Sequence, residues 1–126
     1  MKVKDLMTRN VVSVKPDESL GDVVVKFMEN KISGAPVLDD EKVVGIISKA
    51  DILNMNYLKK VSERVVSDVM SRHVVTVDPE SSIERAARLM VNRNINRLPV
   101  VEEKKLIGIV ARGDLVKALA GEKNTY

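Results

Sequence analysis

The stretch Gly45–Asp51, GIISKAD, recurs 63 residues later as Gly108–Asp114, GIVARGD. The offset holds outward in both directions without a gap, so residues 3–53 align with residues 66–116. Sixteen of the 51 aligned pairs are identical, and most of the others preserve polarity. Chance does not produce such a register, so the chain is predicted to be an internal duplication. We place the repeats at residues 1–58 and 59–126.

Each repeat is predicted to run strand, helix, strand, strand, helix. A short apolar run, Val11–Val14 or Val74–Val77, ends at a proline and predicts a brief strand. The helix that follows begins in a capping pattern, a hydroxyl with a carboxylate three residues on, at Ser19–Asp22 and Ser81–Glu84. Its apolar positions recur at helical spacing and predict one buried face. They are Leu20, Val23, Val24, Phe27 and Met28, and then Ile83, Ala86, Ala87, Met90 and Val91.

Two further strands in each repeat surround a polar turn and predict a hairpin with a four-residue loop. The first pair is Ala35–Leu38 and Val43–Ser48, and the second is Leu98–Val101 and Leu106–Ala111. A last helix is predicted to start near Lys49 and near Arg112. The segment between the repeats, Tyr57–Val66, is predicted to be helical. One repeat alone has little core, so two repeats packed together are expected to bury it.

Composition removes several classes of site. The chain has no cysteine, which excludes disulfides, thiolate metal sites and a cysteine nucleophile. A single histidine, His73, excludes a multi-histidine metal site within one chain. A net charge of +3 with scattered basic residues is weak evidence for nucleic-acid binding. No apolar run reaches the roughly 20 residues that a membrane span needs, so we expect a cytoplasmic protein with no membrane contact.

Three motifs recur in order in both halves and resemble a known family. They are Asp5–Met7 with Asp68–Met70, Gly34–Val37 with Arg97–Val100, and the two heptapeptides quoted above. The halves resemble CBS domains, named after cystathionine β-synthase, and the pair resembles a Bateman module. The resemblance implies an α/β fold in which two β-α-β-β-α repeats pack face to face with pseudo-twofold symmetry. It also implies a homodimer that regulates an unidentified protein.

The resemblance further implies that two clefts between the repeats bind an adenosine compound such as AMP, ADP, ATP or S-adenosylmethionine. The protein would then be a sensor with a ligand, with no cofactor and no catalytic residues. In the family the Gly-apolar-apolar-Ser/Thr-x-x-Asp motif binds ribose and phosphate, which points to Ser48 and Asp51. A carboxylate can accept hydrogen bonds from both ribose hydroxyls. The same pair also fits a helix cap, and that alternative stays open.

Carried over residue by residue, the family pattern assigns two sets of ligand contacts. The set with Asp51 includes Arg97, whose guanidinium suits a phosphate. In the set with Asp114 the motif hydroxyl is replaced by Ala111, so we expect this site to be weaker. The first set is Ile46, Ser48, Asp51, Ser71, Val75, Asn96 and Arg97; the second is Thr8, Val12, Ser33, Gly34, Ile109 and Asp114.

Other classes of function compete with nucleotide sensing. An interaction or assembly module with vestigial clefts is the main alternative, because the second motif has lost its hydroxyl. An enzyme is disfavoured, since the sequence contains no Walker loop, G-x-S-x-G turn or dinucleotide glycine fingerprint. Nucleic-acid binding rests only on the net charge.

Overall fold

The computed structural model describes residues 1–54 and 63–122, in a chain that divides into two compact units. One unit, here the continuous unit, is Val12–Val74. The other, here the split unit, combines Met1–Val11 with Val75–Tyr126. The start of each repeat therefore belongs to the unit that holds the body of the other repeat. The repeat boundaries at residues 58 and 59 stay a prediction about the sequence.

The long helix, the hairpin and the last helix of each repeat follow in the predicted order, whereas the short helices at the repeat starts, Val3–Leu6 and Val66–Asp68, were not predicted. Most of the predicted linker helix, residues 57–62, lies outside the described residues. The continuous unit holds α2, β1, β2, α3 and the 3-10 helix, and the split unit holds the rest. The elements are α1 (Val3–Leu6), α2 (Leu20–Asn30), β1 (Gly34–Asp39), β2 (Lys42–Ser48), α3 (Lys49–Leu53), a 3-10 helix (Val66–Asp68), α4 (Ile83–Arg93), β3 (Arg97–Glu102), β4 (Lys105–Ala111) and α5 (Arg112–Glu122).

Each unit has a core of ten buried apolar residues, and the two cores correspond one to one at the repeat offset. The repeat starts complete them: Val66 and Met70 lie in the core of the continuous unit, whereas Val3 and Met7 lie in that of the split unit. The duplication therefore preserved a whole packing arrangement. The continuous unit buries Val14, Leu20, Val23, Phe27, Ala35, Val37, Ile47, Ile52, Val66 and Met70; the split unit buries Val77, Ile83, Ala86, Met90, Leu98, Val100, Val110, Leu115, Val3 and Met7.

Two substitutions between the cores change side-chain volume in opposite directions. Phe27 of the first repeat corresponds to the smaller Met90, while Ala35 corresponds to the larger Leu98. All four residues are at most 1% exposed. Cores tolerate hydrophobic exchanges that compensate in part, and the corresponding positions stay buried in both repeats with different side chains.

The predicted helix faces are confirmed in part. Positions spaced by three, four and seven residues are buried, as with Leu20, Val23 and Phe27 in α2. Val24 is half-buried, and Met28 is 69% exposed; its counterpart Val91 in α4 is 73% exposed. The prediction that these last two positions are buried is wrong, because they lie at the edge of the apolar stripe, beyond the width that the core covers.

The long helices begin at equivalent serines. Ser19 Oγ accepts a hydrogen bond from the Asp22 N–H at 3.1 Å, and Ser82 Oγ accepts one from the Arg85 N–H at 3.1 Å. The second N-cap is therefore Ser82 rather than the predicted Ser81. The capping pattern with Glu84 was misleading, because the repeat offset from Ser19 gives Ser82.

Both predicted hairpins are confirmed, with strands longer than expected. β1 pairs antiparallel with β2, and β3 with β4, each with a register shift after Val37 or Val100. The turns contain two residues, Asp40–Glu41 and residues 103–104, and not the predicted four. A two-residue hairpin loop favours positive φ values. Accordingly Asp40, Glu103 and Lys104 have φ of 58°, 52° and 70°.

The predicted strands Val11–Val14 and Val74–Val77 shrink to one paired residue each. Val14 forms a parallel bridge with Val37: its N–H donates to Pro36 O and its carbonyl accepts from the Leu38 N–H. Extending the ladder in either direction would need an N–H from Pro36 or from Pro16, and proline has none. Val77 is limited in the same way by Pro99 and Pro79.

Candidate functional site

Ser48 and Asp51 form a reciprocal helix cap where β2 passes into α3. Ser48 Oγ accepts a hydrogen bond from the Asp51 N–H at 3.2 Å, and Asp51 Oδ2 accepts one from the Ser48 N–H at 2.8 Å. Both residues are half-buried. The capping alternative is therefore realised. It engages one carboxylate oxygen of Asp51, and a ligand role for the other oxygen is compatible with it.

Asp114 makes the equivalent contact without a hydroxyl partner. Its Oδ2 accepts a hydrogen bond from the Ala111 N–H at 3.0 Å, at the junction of β4 and α5. From the sequence, an aspartate that persists without a capping hydroxyl fits ligand binding and stabilisation of the helix dipole equally well. The structure provides a sufficient reason without a ligand, because the carboxylate satisfies a backbone donor at a helix start.

Aspartates cap backbone donors at the repeat starts as well. Asp5 Oδ2 accepts from the Lys2 N–H at 2.8 Å, and Asp68 Oδ2 accepts from the Val65 N–H at 3.0 Å. Each repeat thus uses two aspartates in the same i to i−3 contact. The aspartate of the heptapeptide motif is one of a set of caps, so this contact alone does not distinguish a ligand residue.

Ile46 and Ser71 are brought together by backbone pairing within the continuous unit. The Ile46 N–H donates to Ser71 O at 2.9 Å, and the Ser71 N–H donates to Ile46 O at 2.8 Å. Ser71 is exposed and Ile46 is half-buried. Four residues predicted for one ligand site therefore lie in one unit, with Ser48 and Asp51 directly following Ile46 along the chain.

Thr8 and Ile109 repeat this arrangement in the split unit. The Thr8 N–H donates to Ile109 O at 2.9 Å, and the Ile109 N–H donates to Thr8 O at 3.0 Å. Asp114 follows on the same strand-helix junction. Three residues of the second predicted set are therefore gathered in this unit.

The remaining predicted contacts lie at the start of the first strand of each hairpin or earlier in the chain. Ser33 O accepts the Lys49 N–H at 2.9 Å in the continuous unit, and Asn96 O accepts the Arg112 N–H at 2.8 Å in the split unit. Arg97 is half-buried, and this burial lowers the pKa of its guanidinium from the usual value. The continuous unit holds Val12, Ser33, Gly34, Ile46, Ser48, Asp51 and Ser71; the split unit holds Thr8, Val75, Asn96, Arg97, Ile109 and Asp114. Their grouping into two ligand sites stays a prediction.

Sequence reasoning missed one pair of residues beside these contacts. Gly45 and Gly108 are buried, and a Cβ at either position would lie within 3.0 Å of the segment carrying Ser71 or Thr8. The available signal was that glycine occurs at the same place in both heptapeptides.

Residues 1–54 and 63–122 contain neither a metal-binding cluster nor a membrane-spanning helix. No group of three or more histidine, cysteine, aspartate or glutamate side chains in these ranges could hold a metal ion. Nor is any helix in these ranges long and apolar enough to cross a membrane.

The family model for the CBS domain matches the chain twice, at residues 3–56 and 66–121. The chain belongs to the CBS domain family. These matches coincide with the duplication, and each covers the hairpin, the helices and the heptapeptide motif of its repeat. The chain is therefore a tandem CBS pair, as its motifs predicted.

Known CBS proteins resemble the chain over almost its whole length. An uncharacterised protein of Methanocaldococcus jannaschii is 41% identical over 94% of this chain and 91% of its own length. The crystal structure of the CBS-pair protein CBSX2 from Arabidopsis thaliana has a TM-score of 0.87 at 34% identity, covering 99% of this chain and 98% of that one. The predicted α/β repeat fold is confirmed.

Two of the similar solved structures contain adenosine compounds. CBSX2 in complex with AMP is 38% identical, with a TM-score of 0.85 over 98% of each chain. The CBS pair of protein MJ0100, in complex with 5′-methylthioadenosine and S-adenosylmethionine, is 25% identical, with a TM-score of 0.85 over 97% of this chain and 98% of that one. Relatives named as enzymes are larger: the chain spans only 23–25% of their length.

Proposed function

We propose that this CBS pair is a regulatory module that binds an adenosine-containing compound and performs no catalysis itself. The observation that carries the proposal is the AMP complex of CBSX2, which is 38% identical over 98% of both chains. The relatives named as enzymes support the regulatory role, since in them a CBS pair is a minor part of a longer chain.

The residues of this chain offer suitable chemistry for such a ligand. Asp51 has one carboxylate oxygen occupied by the Ser48 N–H, and within the described residues its other oxygen makes no hydrogen bond. That oxygen can accept from a ribose hydroxyl in a charge-assisted bond. Ser71 and Thr8 are exposed beside Ile46 and Ile109, whose side chains supply an apolar surface for a purine.

Arg97 is the candidate for a phosphate. Its partly desolvated guanidinium keeps its charge, because the ordinary pKa of arginine lies far above neutrality. The continuous unit has Gly34 at this position, so the two repeats differ in the cation they can offer. We therefore retain the expectation that the two sites differ in affinity.

Isothermal titration of the full chain with AMP, ADP, ATP and S-adenosylmethionine tests the proposal. We expect saturable binding of at least one compound, and mass spectrometry of small molecules released from the denatured protein should identify an adenosine compound. Absence of binding at millimolar concentrations would contradict the proposal. A tight protein partner whose binding ignores nucleotides would instead favour the assembly module.

We also infer that the protein forms a closed homodimer through apolar helix surfaces. Met28 and Leu53 are each 69% exposed beside an apolar cavity of about 190 Å³, which Val24, Phe27 and Ile52 also line. Large exposed apolar side chains clustered in this way are typical of an interface.

We expect light scattering to give twice the chain mass of 14.0 kDa for the wild type. The double variant Met28→Glu/Leu53→Glu should give the mass of the monomer. Glu29→Gln, on the same helix, is the control. A wild-type monomer at high micromolar concentration would exclude the dimer.

A further inference from the structure

Gly45 lies buried where the segment Met70–Ser71 crosses β2. A Cβ built on Gly45 would lie 2.7 Å from Met70 Sδ and 2.9 Å from Ser71 O. The split unit repeats this contact: a Cβ on Gly108 would lie 2.6 Å from Met7 Sδ and 3.0 Å from Thr8 O. Ordinary contacts of a Cβ lie well beyond these distances. Any side chain at either glycine would therefore push the segment away from the strand.

The oxygen that a Cβ would strike already accepts a hydrogen bond. Ser71 O accepts the Ile46 N–H at 2.9 Å, and Thr8 O accepts the Ile109 N–H at 3.0 Å. Retreat of the segment would stretch this bond and its reciprocal partner. Met70 and Met7 are each 9% exposed within their cores, so packing limits how far their side chains can turn aside.

We propose that Gly45 and Gly108 are positioning residues for the ligand contacts: their missing side chains let the repeat-start segments lie against the strands and thereby fix Ser71 beside Ile46 and Thr8 beside Ile109. The proposal rests on the proposed function for its consequence in binding. The backbone geometry that it describes is independent of any ligand.

The glycines act through the segments and need not touch the ligand. Gly45 is buried, whereas Ser71, whose backbone oxygen lies against this glycine, is exposed. A displacement of the segment therefore moves a predicted ligand contact while Ser48 and Asp51 keep their cap. Loss of affinity should then exceed what a comparable loss of core packing causes.

Four variants of the full chain separate positioning from stability. Gly45→Ala introduces the clash. Met70→Ala removes buried apolar contacts without pushing Ser71. Gly21→Ala is the matched glycine control, because its Cβ would meet only Ser19 Oγ at 4.0 Å. The double variant Gly45→Ala/Met70→Ala relieves the sulfur contact and leaves the Ser71 O contact, so it serves if the single variant does not fold.

The first readout is titration with AMP and S-adenosylmethionine below the melting temperature. We expect Gly45→Ala to weaken binding about tenfold or more, and Met70→Ala and Gly21→Ala to stay within about threefold of wild type. The double variant should bind about tenfold more weakly than Met70→Ala. Binding by Gly45→Ala, or by the double variant, equal to that of its reference protein would overturn the proposal.

The second readout is amide hydrogen exchange, which requires no ligand. Gly45→Ala should accelerate exchange of the Ile46 and Ser71 amides, while the Lys49 amide, bonded to Ser33 O at 2.9 Å, should be unchanged. Unchanged protection at Ile46 and Ser71 would overturn the positioning role. If the wild type binds none of AMP, ADP, ATP and S-adenosylmethionine, the proposed function fails, and amide exchange still decides whether Gly45 holds the segment.

Discussion

The carboxylate of Asp114 accepts a hydrogen bond from the backbone N–H of Ala111, although Ala111 offers no side-chain acceptor in return. In the other repeat the Ser48 N–H donates to the Asp51 carboxylate in the same way, and the Asp51 N–H donates in return to Ser48 Oγ. Both aspartates therefore stabilise a helix start. A ligand role must be measured separately from this capping role.

Replacing either aspartate by alanine should lower the free energy of unfolding by about 0.3–1 kcal/mol, since each change removes a carboxylate from the first turn of a helix. Asp51→Ala should in addition weaken nucleotide binding by about 1.5–3 kcal/mol, roughly tenfold to a hundredfold. Asp114→Ala should weaken it less, because its motif lacks the hydroxyl. Thermal melting without ligand and nucleotide titration measure the two effects.

Asp51→Asn is the matched control for the capping role, because the amide oxygen can still accept the Ser48 N–H. It should keep most of the stability and lose affinity through the missing charge. Equal affinity of wild type and Asp51→Ala would end the assignment of Asp51 to the site. A larger loss with Asp114→Ala would reverse the ranking of the two sites.

The stability of the fold should fall at acid pH, when Glu80 is protonated and its contacts with the N-terminal segment weaken. Hydrogen bonds from Lys2 and Lys4 lower the pKa of Glu80 from 4.5 to about 2, and the same contact raises the pKa of Lys4. Because the folded-state pKa is depressed, the ionised carboxylate stabilises the fold above its ordinary pKa. This stabilisation is lost as the pH falls from 4.5 towards 2.

Melting temperatures of wild type and Glu80→Gln between pH 6 and pH 2 test this dependence. The contribution should be small and weakened by salt, since the carboxylate and both lysines are exposed. We expect the difference between the two proteins to shrink across the acid window. Glu84→Gln removes an equal charge from α4 as a control. A difference that stays constant to the lowest pH would contradict the role of Glu80.

The helix ends at Lys31 and Asn94 should respond differently to glycine. Both residues have a left-handed backbone conformation, with φ of 54° and 53°, at the ends of α2 and α4. Asparagine tolerates this conformation better than lysine does. Lys31→Gly should therefore stabilise the protein by about 0.5–1 kcal/mol, and Asn94→Gly by less. Chemical denaturation measures both, and a larger gain at Asn94 would refute the explanation.

Fragments cut along the compact units should fold better than fragments cut along the sequence repeats. Residues 12–74 contain all ten core residues of the continuous unit, whereas residues 1–58 lack Val66 and Met70. Losing a buried side chain of this size lowers the free energy of unfolding by about 2–5 kcal/mol. A fragment this short has a small core and would unfold as a result. We expect cooperative melting by circular dichroism for fragment 12–74 and none for 1–58. Equal structure in both would show that the repeat start is dispensable.

Much of the fold follows from the sequence because the duplication aligns each core position with its partner. The exchange of repeat starts does not follow. Val3 and Val66 are the same residue type, as are Met7 and Met70, so these core positions do not distinguish the two arrangements. Only the three-dimensional path of the chain distinguishes them.

The sequence predicted which motifs form the candidate site, but it could not predict whether their side chains cap a helix or bind a ligand. The family resemblance pointed to Ser48, Asp51, Ile46 and Ser71. All four lie in the continuous unit, where Ile46 pairs with Ser71. Capping and ligand binding need the same carboxylate at the same spacing, so the pattern cannot separate them. Gly45 was overlooked because a close approach depends on a segment distant in sequence.

The division of the chain also sets an order for its folding during synthesis. The continuous unit emerges from the ribosome as one uninterrupted stretch, and it can collapse as soon as Met70 is available. The segment Met1–Val11 is made before the continuous unit, yet its partners in the split unit begin only at Val75. Prior folding of the intervening stretch shortens the effective loop that must close, and so reduces its entropic cost. A segment that is made before the continuous unit thus acquires its native contacts after it.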